Sequence, residues 1–338
     1  MKVGIIGNKH KNIRIMKKVF AYLILLALTI SCYDDYVLDY EFDGVYFPNP
    51  VNVRTVVVGE GLKIRIGAQL GGVLENNQTR NVNFTIDNSL VTPDILDKMQ
   101  NHNWFWVNEP ANKVTDLLPL PADFYTLSNP DKIVIEKDWH SGYVTLMVDS
   151  AKFLGNPETI NPIYAIPFYI TSADADTIIE NLRSTVIGLR YENMLFGNYL
   201  HGGITVVKDA EGTVVETITY PTKVNQSSNE IMQLSTIAPN AVVTNGFSRT
   251  RTNIPEMVLT LNGTNVTISS ATGATNAFEA DGANAFNGSK LLQERKLFLN
   301  YKYQAGELTY HCQDTLSFRN RIRDGINEWQ DENPDNYK

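Results

Sequence analysis

Polar and apolar residues alternate in step along much of this chain, the signature of strands with one buried face. Leu62, Ile64, Ile66, Ala68 and Leu70 fall on one side, and Lys63, Arg65, Gly67 and Gln69 on the other. The same beat returns at Val82, Phe84 and Ile86, at Val144, Leu146 and Val148, and at Tyr164, Ile166, Phe168 and Ile170. Pro167 interrupts the last run and removes a ladder donor, which predicts an edge strand or a bulge. Thr92 to Gln100 breaks the alternation; opened by Pro93 and Asp94, it predicts a helix.

Short strands separated by turn residues predict a two-sheet sandwich of immunoglobulin-like kind, a domain over residues 33–192. Residues 193–338 read as a run of hairpins. Asp209-Ala210-Glu211-Gly212, Asn262-Gly263 and Ala305-Gly306 supply turns that tolerate left-handed backbone between alternating segments. Leu316 to Arg323 also alternates and sets Arg319, Arg321 and Arg323 on one strand face. The fold class expected is therefore all-β: the sandwich, then an antiparallel β-barrel of calycin-like form or a second sandwich.

The N-terminus has a different character. Val19 to Ile30 is twelve residues without a charge, preceded by Lys17 and Lys18 and followed by Ser31-Cys32. Twelve residues are too few to cross roughly 30 Å of hydrocarbon as a helix, and the layout is that of a signal peptide. It resembles a bacterial lipoprotein signal, in which cleavage before the cysteine frees it for acylation. The resemblance implies residues 1–32 as signal with Cys32 lipidated, although Thr29 stands where leucine is usual. Asp34-Asp35, just after the cysteine, resembles the surface-export signal of Bacteroidetes lipoproteins. The expected location is the outer membrane, lipid-anchored and facing outward. Met16-Lys17-Lys18 would be a conventional start for this signal, which makes residues 1–15 read as an upstream extension.

Charge narrows the partners. The full chain has 29 basic and 37 acidic residues, a net charge of -8. Loss of residues 1–31 would remove Lys2, Lys9, Lys11, Arg14, Lys17 and Lys18 and no acid, leaving 23 against 37, or -14. Such a body repels phosphate backbones, so no nucleic-acid partner is expected. Two cysteines exclude a thiolate zinc cluster, and the five histidines show no paired ligand spacing; neither a metal nor a cofactor is expected. With Cys32 acylated, Cys312 has no intrachain partner and reads as core filler.

Leu117-Leu118-Pro119, Phe124-Tyr125-Thr126-Leu127, Ile133-Val134-Ile135 and Gly142 to Leu146 lead on to Tyr164 to Ala173. Together they resemble the N-terminal domain of unknown function found in many Bacteroidetes surface lipoproteins encoded in polysaccharide-utilisation loci. Asp314-Thr315-Leu316, Arg319, Arg321 to Gly325 and Asn327-Glu328-Trp329 resemble its companion C-terminal domain. In relatives the N-terminal module precedes endoglycosidase, lectin-like or companion domains, so the resemblance implies a setting of glycan acquisition but no activity.

Catalytic signatures are weak. Asp174-Ala175-Asp176 with Glu180 misses the spacing of a chitinase-like acid cluster and reads as a polar turn leaving a strand. No Gly-x-Ser-x-Gly elbow occurs. The chain is expected to bind and not to catalyse. Sugar binding needs an aromatic platform beside amides and carboxylates. Asn101 to Glu109 contains that chemistry around Trp104 and Trp106, read as a loop or irregular strand that sets the two rings on one face and Phe105 on the other. The tryptophans either form a platform or pin the helix to the sandwich. Trp329 either borders a polar cleft with the nearby arginines or docks the tail on the body. Tyr199 and His201 are either ligand candidates at the mouth of the second unit or, the favoured reading, strand-end packing residues. The expected function is a surface accessory that binds a glycan, oligosaccharide or polysaccharide; the rival is a structural or adhesin-like partner of an outer-membrane transporter complex. A glycoside hydrolase is the third reading.

Overall fold

The structure, a computed structural model, describes residues 42–223 and 226–331. The signal segment, Cys32 and the Asp34-Asp35 pair lie outside the described residues.

The first half contains β1 (Gly44–Tyr46), β2 (Val51–Val58), β3 (Lys63–Gly71), β4 (Arg80–Ile86), α1 (Pro93–Gln100), α2 (Phe105–Ala111), β5 (Leu118–Pro119), β6 (Tyr125–Leu127), β7 (Lys132–Ile135), β8 (Ser141–Val148), α3 (Ser150–Gly155), β9 (Tyr164–Ala173), β10 (Thr177–Ile178) and β11 (Ser184–Asn193). One sheet runs β10-β1-β3-β8-β6 and the other β2-β11-β9-β4-β7, with β5 alongside β9. Ile64, Ile66, Ala68, Leu70, Val82, Phe84, Val144, Leu146, Ile166, Phe168 and Ile170 fill the space between them, as the alternation requires. The opposite face of the second sheet is also covered. Met99, Val107 and Ala111 of α1 and α2 pack on Val51, Val53, Ala165 and Val186, so β9 and β11 are buried on both sides.

The helix α1 has its expected start. Thr92 Oγ1 accepts from Ile95 N at 3.4 Å, and Pro93 occupies the first turn, where no donor is needed. Of the two expectations for its strand, β9 meets the bulge, Thr171 being the extra residue where Asn83 opposes Ser172 and Phe84 opposes Ile170. It is not an edge, yet as an interior strand with β11 on one side and β4 on the other it accommodates Pro167. The reason is local. Pairing with β4 stops at Ile86 opposite Phe168, and Pro167 O accepts from Asp87 N at 3.3 Å just past the end of that strand. A residue's N–H and C=O point to the same side of a strand, so the missing donor faces the gap that β4 leaves.

The second half comprises β12 (Gly197–Lys208), β13 (Val214–Tyr220), β14 (Glu230–Ala238), β15 (Ala241–Thr244), β16 (Gly246–Phe247), β17 (Thr250–Arg251), β18 (Met257–Asn262), β19 (Asn265–Ser270), β20 (Glu279–Ala280), β21 (Ala285–Phe286), β22 (Lys296–Ala305), β23 (Leu308–Arg323) and β24 (Ile326–Glu328). Neighbours follow the order β12-β14-β15-β18-β19-β21-β22-β23, and β23 pairs back onto β12 from Asn198 opposite Asn320 to Lys208 opposite Thr309. That last ladder closes the sheet, so the second body is a barrel and not a sandwich. Met232, Leu234, Met257, Leu259, Leu297, Leu299 and Leu316 fill its interior.

β2 and β11 run parallel and end together, Val58 opposite Asn193, at the end of the sandwich that meets the barrel. Asn193 N donates to Thr236 Oγ1 at 3.0 Å and Asn193 Nδ2 to Pro239 O at 2.8 Å. Beyond β2, Glu60 reaches two buried barrel arginines, Arg295 and Arg321.

Candidate functional site

The segment Asn101 to Glu109 is helical from Phe105 onward, not a loop or irregular strand, with Trp104 as the extended residue before α2. Strand alternation therefore does not apply to it. Trp104 and Trp106 still come together, because the first is extended and the second lies on the helix. Their rings stack at 5.0 Å between centroids and 19° between planes. Phe105 stands edge-on to Trp106 at 5.4 Å and is exposed. Trp104 is 36% exposed, so it is not a buried anchor, whereas Trp106 is half-buried against the helix core.

What faces these rings comes from distant sequence. The β23–β24 hairpin turns at Asp324-Gly325 and lays its tip on Trp106. Gly325 has φ +82°, and a Cβ there would sit 2.8 Å from the Trp106 ring, so only glycine allows the approach. Asp324 Oδ2 accepts from Arg54 Nε at 2.9 Å and from Thr55 N at 3.3 Å, which ties the hairpin to β2. The result is a cleft of about 310 Å³ lined by Asn49, Asn52, Arg54, Trp104, Trp106, Arg323, Asp324, Ile326 and Glu328.

Charges in this cleft are paired among themselves. Glu328 accepts from Arg323 and, at 2.5 Å, from Arg321 Nε. Burial works against its charge, but the hydrogen bond from Arg323 and the attraction of Arg321 and Arg323 outweigh that and hold its carboxyl below the ordinary glutamate value. Asn52 Oδ1 accepts from Val53 N, and its Nδ2 has no protein partner among the described residues. The cleft thus offers a flat apolar ring, amide groups and neutralised charges, which is the chemistry that grips a sugar's apolar face and its hydroxyls.

Trp329 lies on the other side of the hairpin. It is 58% exposed and lines a second cleft of about 400 Å³ with Gln293, Phe318, Arg319, Asn320, Asn327 and Gln330. The three arginines do not share a face. Register slips where Asn198 opposes Asn320 and Tyr199 opposes Phe318, so Arg319 is the extra residue of a bulge. Arg321 and Arg323 then turn to Glu328, and Arg319 to the second cleft.

Tyr199 and His201 are not at a mouth. Both are fully buried inside the barrel, since alternate residues of β12 point inward. Tyr199 donates its hydroxyl to Leu195 O at 3.1 Å. His201 belongs to a polar core layer: Arg251 donates to its Nδ1 at 2.5 Å, and its Nε2 lies 2.9 Å from Asp314 Oδ2. Asp314 also accepts the hydroxyls of Tyr220 at 2.5 Å and Tyr301 at 2.7 Å. Burial first, and then Asp314, push both phenols far above the ordinary tyrosine value, so they remain donors. Tyr220 enters this layer because β12 exchanges β14 for β13 as its neighbour at Gly202, leaving a gap in the wall.

Sequence reading found the tryptophans and missed Asn49, Asn52, Arg54 and the roles of Asp324 and Glu328. Nothing local marks them, because their shared surface exists only once sandwich and barrel meet.

A family model described as an N-terminal domain matches residues 39–177. The match covers the sandwich up to β10. Among curated proteins nothing matches. A solved structure of unknown function from Bacteroides ovatus is 20% identical, covering 86% of this chain and 98% of its own, with a TM-score of 0.59. At that identity the likeness is one of fold. A second structure of unknown function from the same organism is 11% identical over 86% of this chain and 100% of its own, with a TM-score of 0.43.

Proposed function

We propose that this protein is a cell-surface accessory, lipid-anchored through Cys32, that binds glycan for a polysaccharide-utilisation system without cleaving it. The observation that carries the reading is exposed Trp104 stacked on half-buried Trp106 beside Asn52, Arg54, Asp324 and Glu328 in the cleft where sandwich and barrel meet. The lipoprotein-like signal and the acidic pair after Cys32 support the location.

Binding without catalysis is favoured by the state of the acids. A general acid needs its pKa raised towards the working pH, and Glu328 is held the other way by its arginines. The test is affinity electrophoresis of the purified protein through gels containing neutral plant and host glycans. Retardation that disappears in Trp104→Ala while the melting curve is kept supports the reading. Passage of the wild type through every glycan without retardation overturns it.

The rival, a partner of a transporter complex that touches no sugar, has one observation in its favour. Tyr143 and Met147 share the outer face of β8 and are about half exposed, an apolar surface suited to a protein neighbour. Co-purification of a membrane protein, lost in Tyr143→Glu and kept in Trp104→Ala, would favour that reading.

A further inference from the structure

The two clefts on either side of the β23–β24 hairpin differ in one chemical respect: the junction cleft has its charges paired, and the Trp329 cleft does not. Of the seven residues that line the latter only Arg319 is charged, and no ion pair or hydrogen bond engages its guanidinium among the described residues. Its direction is built into the fold. Arg319 keeps the outer face that Thr315 and Ser317 hold along β23, and the bulge after Phe318 turns Arg321 inward to Glu60 and Glu328, so the two guanidiniums point to different places.

The amides around it point their acceptors elsewhere. Asn198 Nδ2 donates to Asn320 Oδ1 at 3.4 Å, and Asn320 Nδ2 donates to Asn327 Oδ1 at 2.7 Å. Gln293 Oε1 accepts from Asp331 N at 3.0 Å. Each of these bonds takes one lone pair of an amide oxygen, Asn327 Nδ2 and Gln293 Nε2 donate to no protein group among the described residues, and Gln330 adds a further amide to the lining. The exposed face of Trp329 completes the wall. A neutral sugar offers hydroxyls that both donate and accept; a cleft whose one charged group is a guanidinium, with amide donors beside it and no carboxylate in its lining, favours a ligand that carries a negative acceptor. A guanidinium matches a planar carboxylate through paired hydrogen bonds, and an indole face packs on a pyranose ring.

We infer that the Trp329 cleft is a second carbohydrate subsite, selective for a sugar acid whose carboxylate is held by Arg319. The inference rests on the glycan-binding reading above and adds the class of sugar. The chain's net charge of -8 makes general retention of a polyanion unfavourable, so any retention requires a local cation.

The probes are oligogalacturonate, the same oligomer fully methyl-esterified, and sialyllactose, titrated calorimetrically against the purified protein. The expected result is binding of at least one acid, with the ester of the uronate bound about tenfold or more weakly, the effect of losing a charged hydrogen bond. Arg319→Gln should remove that preference, Trp329→Ala should weaken acid and ester together, and Trp104→Ala should leave the preference intact. Binding of neutral glycans through Trp104 with no binding of either acid overturns the second subsite and leaves the first reading standing. Acid binding unchanged in Arg319→Gln overturns it as well. No binding of any glycan overturns both readings. The acid-against-ester comparison is made on the wild type and does not depend on how the variants fold.

Discussion

Glu60 and Arg321 meet end on, Arg321 Nη1 at 2.9 Å from Glu60 Oε1 and Nη2 at 2.7 Å from Oε2, and the carboxylate comes from the sandwich while the guanidinium comes from the barrel. Arg295 Nη2 reaches Glu60 Oε1 at 2.7 Å from a second direction. Both arginines are fully buried, and one acid from the β2–β3 turn faces two buried cations. This contact fixes how the two bodies sit, and with it the shape of the cleft around Trp104.

Removing Glu60 leaves buried Arg295 without a carboxylate and Arg321 with Glu328 alone. Glu60→Ala is expected to destabilise the protein by about 3–5 kcal/mol, the cost of leaving a buried charge unpaired. Urea unfolding followed by tryptophan fluorescence measures it, and a loss under about 1 kcal/mol contradicts the clamp.

Acid stability carries the same signature. Burial opposes the charge on Glu60, but the hydrogen bond and attraction of Arg321, with Arg295, hold its carboxyl below 4.5, as Arg323 and Arg321 do for Glu328. Stability from both is present above the unfolded value and lost as pH falls through the lowered folded values. Glu192 has the opposite sign. Burial, with a contribution from Asp324, holds its carboxyl above 4.5 despite Arg190 and Arg321. Between 4.5 and that raised value the folded chain keeps a proton that the unfolded chain has released, so this contribution falls as pH rises. Urea midpoints across the acid range should show Glu60→Gln flattening the acid-side loss and Glu192→Gln flattening the decline above it.

Cys312 is expected to be inert. Burial, the first cause, pushes its thiol up to about 12, against a weaker opposing hydrogen bond from Thr205. A thiol reagent at mildly alkaline pH should label it only after denaturation. Protein extracted from its own membranes should then show one thiol per chain if Cys32 is acylated and two if it is not.

Gly203 tests the polar layer. A Cβ there would lie 2.6 Å from Gln313 O and 2.8 Å from the Tyr220 ring, where the tyrosine passes through the barrel wall. Gly203→Ala should cost about 1–3 kcal/mol by overpacking, whereas Gly212→Ala at an open turn should cost less, although its φ of +84° is strained for alanine. Equal urea midpoints for Gly203→Ala and the wild type would exclude the crowding.

Much of the fold was legible because it is local. The alternation in β3, β8 and β9, the Asn262-Gly263 and Ala305-Gly306 turns, and the Thr92 cap each follow from backbone geometry within a few residues. Pro167 pointed to a bulged strand, which β9 is, but not to an interior one, because whether a missing donor matters depends on where the neighbouring strand ends. Trp104 was read as a strand residue because two tryptophans at alternate positions mimic the period-two pattern, and the cap before a short helix brings such rings together by another route. For Tyr199 and His201 packing was legible, but not their place in a polar layer inside the barrel, because a barrel's interior cannot be assigned until its closing ladder is known.

The sequence by itself determined the strands, their turns, the first helix, the acidic charge and the aromatic residues available for binding, since each depends on contacts between near neighbours. Tertiary structure alone decided that β23 returns to β12, that one extra residue turns Arg321 inward and leaves Arg319 outside, and that residues near 52, 104, 324 and 328 share a surface. Those outcomes come from ladder register and from burying one carboxylate among cations more than two hundred positions away, interactions whose energy exists only when the whole chain is folded.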